Sequence, residues 1–301
     1  MDPIKEKRPM INQFREDTSL FMKHKKDFAY CERIIQKQSK TFYAAFSSLP
    51  KEKAMSVYAV YAFCRKADDL VDEEFNIVGL ERLEEELRLF EKGEEVNHPL
   101  WRALRVVFST YPMDINPFFD MITGQKMDLE FQQPETQEEL EEYSYYVAGT
   151  VGLMLLPLLS DTPEAIQNEA IALGKGMQIT NILRDIGEDR ENGRIYLPVE
   201  VMEKFHYSPE MLKKQTMNES FMDMWEYEAE KAEAFYDISF NMLPHINEEA
   251  KKPLLLSLLF YREIMEAVRM SDYNCFTKKN AVSTKRKVEL LREADRILKN
   301  E

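Results

Sequence analysis

Glycine is scarce in this chain, 9 in 301 residues, where an average composition carries about 7%. So few glycines leave little room for tight turns, strand bulges or nucleotide-cradling loops, and the scarcity favours helices. No dinucleotide or P-loop fingerprint occurs; Gly174-Lys-Gly176 is too short to count and reads as structural punctuation. Cys31, Cys64 and Cys275 are too few and too scattered for a disulfide framework or a zinc knot, which fits a reducing cytoplasm. Long apolar runs are missing too: residues 151–159 and 254–261 are too short to span a bilayer, and the N-terminus lacks a signal-peptide core. Nor is there an excess of basic residues. A net charge of −14 argues against a nucleic acid held through its phosphates. An anionic substrate stays compatible if cations and a few arginines reverse the local potential.

What is present is helical. With 44% hydrophobic and 31% charged residues the composition is ordinary for a globular chain that buries a substantial core. Helical patterning runs over residues 30–39, 52–71, 80–91, 99–110, 117–131 and 137–146. It resumes over 163–187, 209–213, 222–243, 248–270 and 283–298. Prolines such as Pro50, Pro99, Pro117, Pro163 and Pro209 stand near predicted starts and links, where a missing amide proton costs least. No stretch reads as a sheet and no internal repeat is present. Residues 1–24, polar and with Pro3 and Pro9, read as a flexible extension, and short links with even composition make 25–298 one all-α domain.

Two acidic helix segments carry the chemistry: Arg65-Lys-Ala-Asp-Asp-Leu-Val-Asp72 and Gln178-Ile-Thr-Asn-Ile-Leu-Arg-Asp-Ile-Gly-Glu-Asp189. Residues four apart on a helix share a face at roughly 6 Å, which aligns Asp68 with Asp72, and Asn181 with Asp185 and Asp189. Like charges at that spacing repel, and an oxygen-seeking cation relieves the repulsion. Magnesium is commonly held by one or two carboxylates together with waters and substrate phosphates, so two facing rows suit a diphosphate bridged between them. Arg65 and Arg184 add the charge that pairs with phosphate bidentately. The plainer alternative is a solvated helix face, the usual fate of one aspartate pair in an acidic protein. Two such rows, each with an arginine and each among apolar neighbours such as Ala62, Phe63, Ile179 and Ile182, favour the site.

These rows, with Tyr143-Ser-Tyr-Tyr-Val-Ala-Gly-Thr-Val-Gly152, Tyr196 after Asn192-Gly-Arg-Ile, and the Cys64-Arg-Lys lead into the first row, resemble the squalene and phytoene synthases. The closest likeness is to the bacterial dehydrosqualene (4,4'-diapophytoene) synthases, and it covers about residues 28 to 290. The resemblance implies a helical bundle of the isoprenoid synthase type around a central cavity. There two allylic diphosphates would condense head to head through a cyclopropylcarbinyl diphosphate, with two or three Mg2+ ions. By position it makes Asp68, Asp72, Asn181, Asp185 and Asp189 the metal-site residues. Asp68, Asp72, Asp185 and Tyr143 become the catalytic set, and Tyr61, Arg65, Gln178, Arg184, Tyr196 and Tyr261 the substrate contacts. Gln38, Ser39, Lys40 and Thr41 match a phosphate-binding turn that often starts with histidine, so Gln38 is a departure. Lys279, beside Lys278, stands where relatives often have arginine, which trades a bidentate fork for a point charge.

Tyr143, Tyr196 and Tyr261 read equally well as core aromatics with satisfied hydroxyls, and Gly149 and Gly152 as close-packing positions. Two farnesyl diphosphates are the expected substrates, because Phe46 and Tyr58 would close the tunnel end, and dehydrosqualene formed without NADPH is the expected product, because no nucleotide fingerprint is visible. Geranylgeranyl diphosphate as substrate, NADPH-dependent squalene formation, a terpene cyclase and a degenerate prenyl-lipid binder are the alternatives. Prenyl diphosphates are the expected partners in a cytoplasmic protein. Peripheral membrane contact stays open because a lipid-like product leaves into a membrane, although no basic amphipathic stretch announces it. Oligomeric state is not legible.

Overall fold

The computed structural model describes residues 20–72 and 76–300; the side chains of Thr41, Asp72 and Asn300 fall outside that description. Among the described residues, fourteen α-helices follow one another from Lys25 to Asn300. The first half holds α1 (Lys25–Gln38), α2 (Lys40–Phe46), α3 (Lys51–Asp72), α4 (Ile77–Glu91), α5 (Pro99–Thr110), α6 (Asn116–Leu129) and α7 (Gln137–Ser144). The second holds α8 (Thr150–Leu159), α9 (Gln167–Glu191), α10 (Val199–Lys204), α11 (Pro209–Lys213), α12 (Glu219–Ser239), α13 (Glu248–Arg269) and α14 (Thr284–Asn300). The described residues contain no strand, only an isolated bridge between Ser160 and Ile246, in agreement with an all-α fold.

Local chemistry sets the helix starts. The side chains of Asn76, Thr136 and Asn218 accept the amides of Gly79 (2.8 Å), Glu139 (3.2 Å) and Phe221 (3.0 Å), each satisfying a first-turn donor. Ser39 breaks the chain between α1 and α2 and caps the latter through Phe42 N. Where the sequence pattern ran 163–187 as one helix, Pro163–Ile166 is a 3₁₀ turn and α9 starts at Gln167. Likewise the last turn before Pro244 tightens to 3₁₀ over Phe240–His245.

Helix α9 is the central element, packed against α12, α8, α13 and a π-helical turn, Tyr145–Gly149, that joins α7 to α8. Close approach needs glycine at two points: a Cβ on Gly152 would stand 2.4 Å from Ala170 O, and one on Gly174 2.4 Å from Ala148 O. The folded part begins earlier than residue 25, because Phe21 is buried and stacks on Phe28 at 5.0 Å; the remainder of the expected extension, 1–19, lies outside the described residues.

Candidate active site

Helices α3, α6, α7 and α9 wall a polar cavity of about 630 Å³. From α3 come Arg65 and Asp68; from α9 come Gln178, Asn181, Arg184, Asp185 and Asp189. The two rows, distant in sequence, therefore face one space. Behind it lies an apolar cavity of about 250 Å³ walled by Phe42, Phe46, Val151, Leu155, Leu156, Leu159, Leu173, Met177, Met242, Ile246, Leu254 and Tyr261. Asp68, Val147, Gln178 and Asn181 line both cavities, so the polar chamber and the apolar tunnel meet at that collar.

A kink, not ideal periodicity, presents the second row. Asp185 has φ −108° and ψ 15° inside α9. The break frees the Leu183 carbonyl and the Gly187 amide that would have bonded each other. Trp225 Nε1 donates to Leu183 O at 3.1 Å, and Gly187 N donates to Cys275 O at 3.1 Å. Both orphaned groups are thus repaired from other elements, a specific cause for the bend. Arg184 grips the Asp185 carboxylate through Nε at 2.8 Å and through a second, shorter contact. On α3, Arg65 pairs with Asp69, and Asp68 accepts from Gln125 Nε2 at 2.8 Å.

Burial, then the neighbouring charges of Asp185 and Glu188, raise the Asp189 carboxyl to about 7, with Arg194 opposing. That accumulation of acid is what a divalent cation would relieve, and the donors are all hard oxygens, which suits Mg2+. Among the described residues no three acids or imidazoles converge into a ready-made cage.

Beside the rows sits a cluster the sequence did not reveal. Asp128, buried on α6, accepts hydrogen bonds from the hydroxyls of Tyr143 (2.9 Å) and Tyr196 (2.8 Å), whose rings stack 5.2 Å apart. Burial, then the Asp128 charge, pushes the Tyr143 hydroxyl well above its ordinary pKa, and Tyr196 moves the same way. Gln125 and Arg194 also line the chamber. An acid in the last turn of a helix opposes the macrodipole, and that anomaly at Asp128 was the available signal.

Other sequence-predicted residues stand at the margins. Gln38, Ser39 and Lys40 form the α1–α2 junction and line neither cavity. Tyr61 sits behind Phe42, whose ring is 6.4 Å from those of both Tyr61 and Tyr261. Lys279 is largely exposed and pairs with Glu188 at 3.0 Å on the chamber rim. The side chains of Thr41 and Asp72 are outside the described residues. Tyr58 does not line the tunnel; it faces a separate outer pocket and packs on Tyr43 at 5.6 Å.

An acid- and arginine-lined chamber opening into an apolar tunnel within a helical bundle defines a fold of the isoprenoid synthase type. The chain belongs to the squalene/phytoene synthase family, whose model matches residues 35–289. A solved dehydrosqualene synthase with bound ligand is 52% identical, covers 94% of this chain and 100% of its own, and superposes with a TM-score of 0.91. The squalene synthase HpnC of Alicyclobacillus acidocaldarius is 28% identical with a TM-score of 0.77, covering 84% of this chain and 97% of its own. Among curated relatives, 15-cis-phytoene synthase of Synechococcus elongatus is 36% identical over 275 residues, 86% of this chain and 89% of its own length. The family and these neighbours make the chain a prenyltransferase of isoprenoid biosynthesis. No helix among the described residues is long and apolar enough to cross a membrane.

Proposed function

We propose that this chain joins two farnesyl diphosphates head to head, through presqualene diphosphate, into dehydrosqualene. The observation that carries the reading is the collar of Asp68, Val147, Gln178 and Asn181, where a diphosphate held by both rows would leave its prenyl tail pointing into the apolar tunnel. Mg2+ bound to Asp68, Asp72, Asn181, Asp185 and Asp189 would supply charge neutralisation to the departing diphosphate. Arg65 and Arg184 supply the rest from the same walls. The first ionisation leaves an allylic cation and the second a cyclopropylcarbinyl cation; the apolar tunnel shields both from water, and the aromatic faces of Phe42 and Tyr261 lie along its wall.

Two protons are lost over the sequence, one as presqualene diphosphate forms and one as the central triene forms. Tyr143, on the wall of the polar chamber, would accept one. Its own proton already points at Asp128, so it takes a proton on oxygen as it passes the other to that buried carboxylate. The product then needs no hydride, and NADPH has no part in this reading.

A second reading has its own support, since the curated relatives at 34–36% identity are phytoene synthases, which would place twenty-carbon tails in the tunnel. The deciding experiment is incubation with farnesyl or geranylgeranyl diphosphate and Mg2+, with and without NADPH, followed by mass analysis of the hydrocarbon. A thirty-carbon triene formed without NADPH is expected. A forty-carbon product, squalene, or a cyclic single-unit product replaces the proposal.

A further inference from the structure

Positive charge is segregated along this acidic chain. Residues 278–299 hold eight lysines and arginines against three acids, a net of +5, so the remainder of the protein carries −19. The fold then sharpens the segregation. Helix α14 lies antiparallel to α13, with Arg286 paired to Glu263 (2.8 Å) and Asp295 to Lys252 (2.5 Å). The helix's other acids, Glu289 and Glu293, gather around the same Arg286 at 3.3 and 3.8 Å. All three acids of α14 are therefore engaged by partners. Lys285, Arg292, Arg296 and Lys299 are exposed and form no ion pair with any described residue.

At 100° per residue those four cations lie on the outward face, opposite the buried Leu290 and Ala294. Val288, 44% exposed, shares that face, and Leu291, 39% exposed, stands on its flank. Met270, 86% exposed, ends α13 at the same end of the helix pair. A row of unpaired cations on an exposed helix face, with bare aliphatic side chains beside it, is the pattern that anionic lipid headgroups attract. The linear sequence hides it because the acids that fall between the cations are turned inward or spent in pairs.

We infer that the outer face of α14 is a docking surface for a membrane carrying anionic lipid headgroups. Charge complementarity selects the occupant: a negatively charged leaflet attracts unpaired lysines and arginines, each worth about fivefold in partitioning. The aliphatic pair selects lipid over an acidic protein patch, because Val288 and Leu291 gain burial among acyl chains without a shaped partner. The occupant rests in part on the proposed hydrocarbon product, which has to enter a bilayer. The basic segment also begins at the reaction chamber, where Lys279 pairs with the rim residue Glu188.

The test is sedimentation of the full chain with phosphatidylcholine vesicles, with and without phosphatidylglycerol, in the absence of substrate. Salt-sensitive binding to the anionic vesicles alone is expected, and the variant Lys285→Gln/Arg292→Gln/Arg296→Gln/Lys299→Gln is expected to lose it by about 100-fold or more. Leu291→Trp, excited on anionic vesicles, is expected to shift its emission to the blue. Equal binding to neutral vesicles, wild-type binding by the quadruple variant, or a salt-sensitive complex with polyglutamate in place of vesicles overturns the inference. Prenyltransfer measured in detergent is expected to be unchanged in that variant, so failure of the membrane site is distinguishable from failure of the proposed reaction.

Discussion

Asp68 shows how one side chain serves two environments. It lines both the polar chamber and the tunnel, and its carboxylate is oriented by Gln125. Asp68→Ala or Asp185→Ala is expected to reduce turnover by at least about 100- to 1000-fold, the scale of losing one preorganised charge contact. Circular dichroism should stay unchanged, and near-normal product by mass analysis would remove the residue from the machinery. Outside the chamber, Glu228 on α12 is almost fully buried beside Gln137, whose NH2, turned toward it, donates to Oε1 at 2.8 Å. Burial raises this carboxyl from 4.5 to about 7 against that hydrogen bond. Below the unfolded value both states are protonated and nothing is lost. As pH rises, the unfolded chain ionises first, so stability falls until the folded pKa is passed, by about 3 kcal/mol in all. Glu228→Gln is expected to abolish this component: in urea titrations its advantage over wild type should be near zero at about pH 4 and fully developed at about pH 8. An advantage that does not grow with pH rules the account out.

Among elements, α9 shows what a sequence can and cannot disclose. The spacing of Asn181, Asp185 and Asp189 placed them on one face, and they do share a chamber. The kink at Asp185 was invisible, because its cause lies in Trp225 on α12 and in the Cys275 carbonyl, brought there by tertiary packing. Trp225→Phe keeps an aromatic ring but leaves the buried Leu183 carbonyl without its donor. The expected cost is about 1–3 kcal/mol in urea unfolding. A fall in turnover of about 10- to 100-fold is expected where the variant is fully folded, since the second row is held by that bend. Turnover that follows only the folded fraction would mean the kink does not position the row. Other gaps have similar physical origins. Helix α8 gave no amphipathic signal because it is apolar on nearly every side, as a central helix must be. Asp128 gave no row because its partners come from α7 and the segment after α9. The two rows and the motif around Tyr143 were legible since each is local to one stretch of chain. Tyr58 was misplaced because its burial was readable but its direction was not.

For the molecule as a whole, tunnel length is set by which helix separates two cavities. Short α2 presents Phe42 and Phe46 to the tunnel, and Tyr43 to an outer pocket of about 310 Å³ that Tyr58 also lines. It is a partition with space on both sides. A fifteen-carbon tail ends against Phe46 in the proposed reading, and a twenty-carbon tail needs one further isoprene unit, which the outer pocket can hold. Phe46→Leu is expected to raise kcat/KM for geranylgeranyl over farnesyl diphosphate by about 10-fold or more, the discrimination that a few methylenes carry in an apolar pocket. Phe46→Ala should go further, at a folding cost of about 3–5 kcal/mol that the leucine variant avoids. The readout is a competition assay with both substrates, the hydrocarbons being separated by mass. An unchanged preference in the stable leucine variant would show that the tunnel ends elsewhere, at Leu159, Met242 and Ile246, and that α2 does not measure the tail.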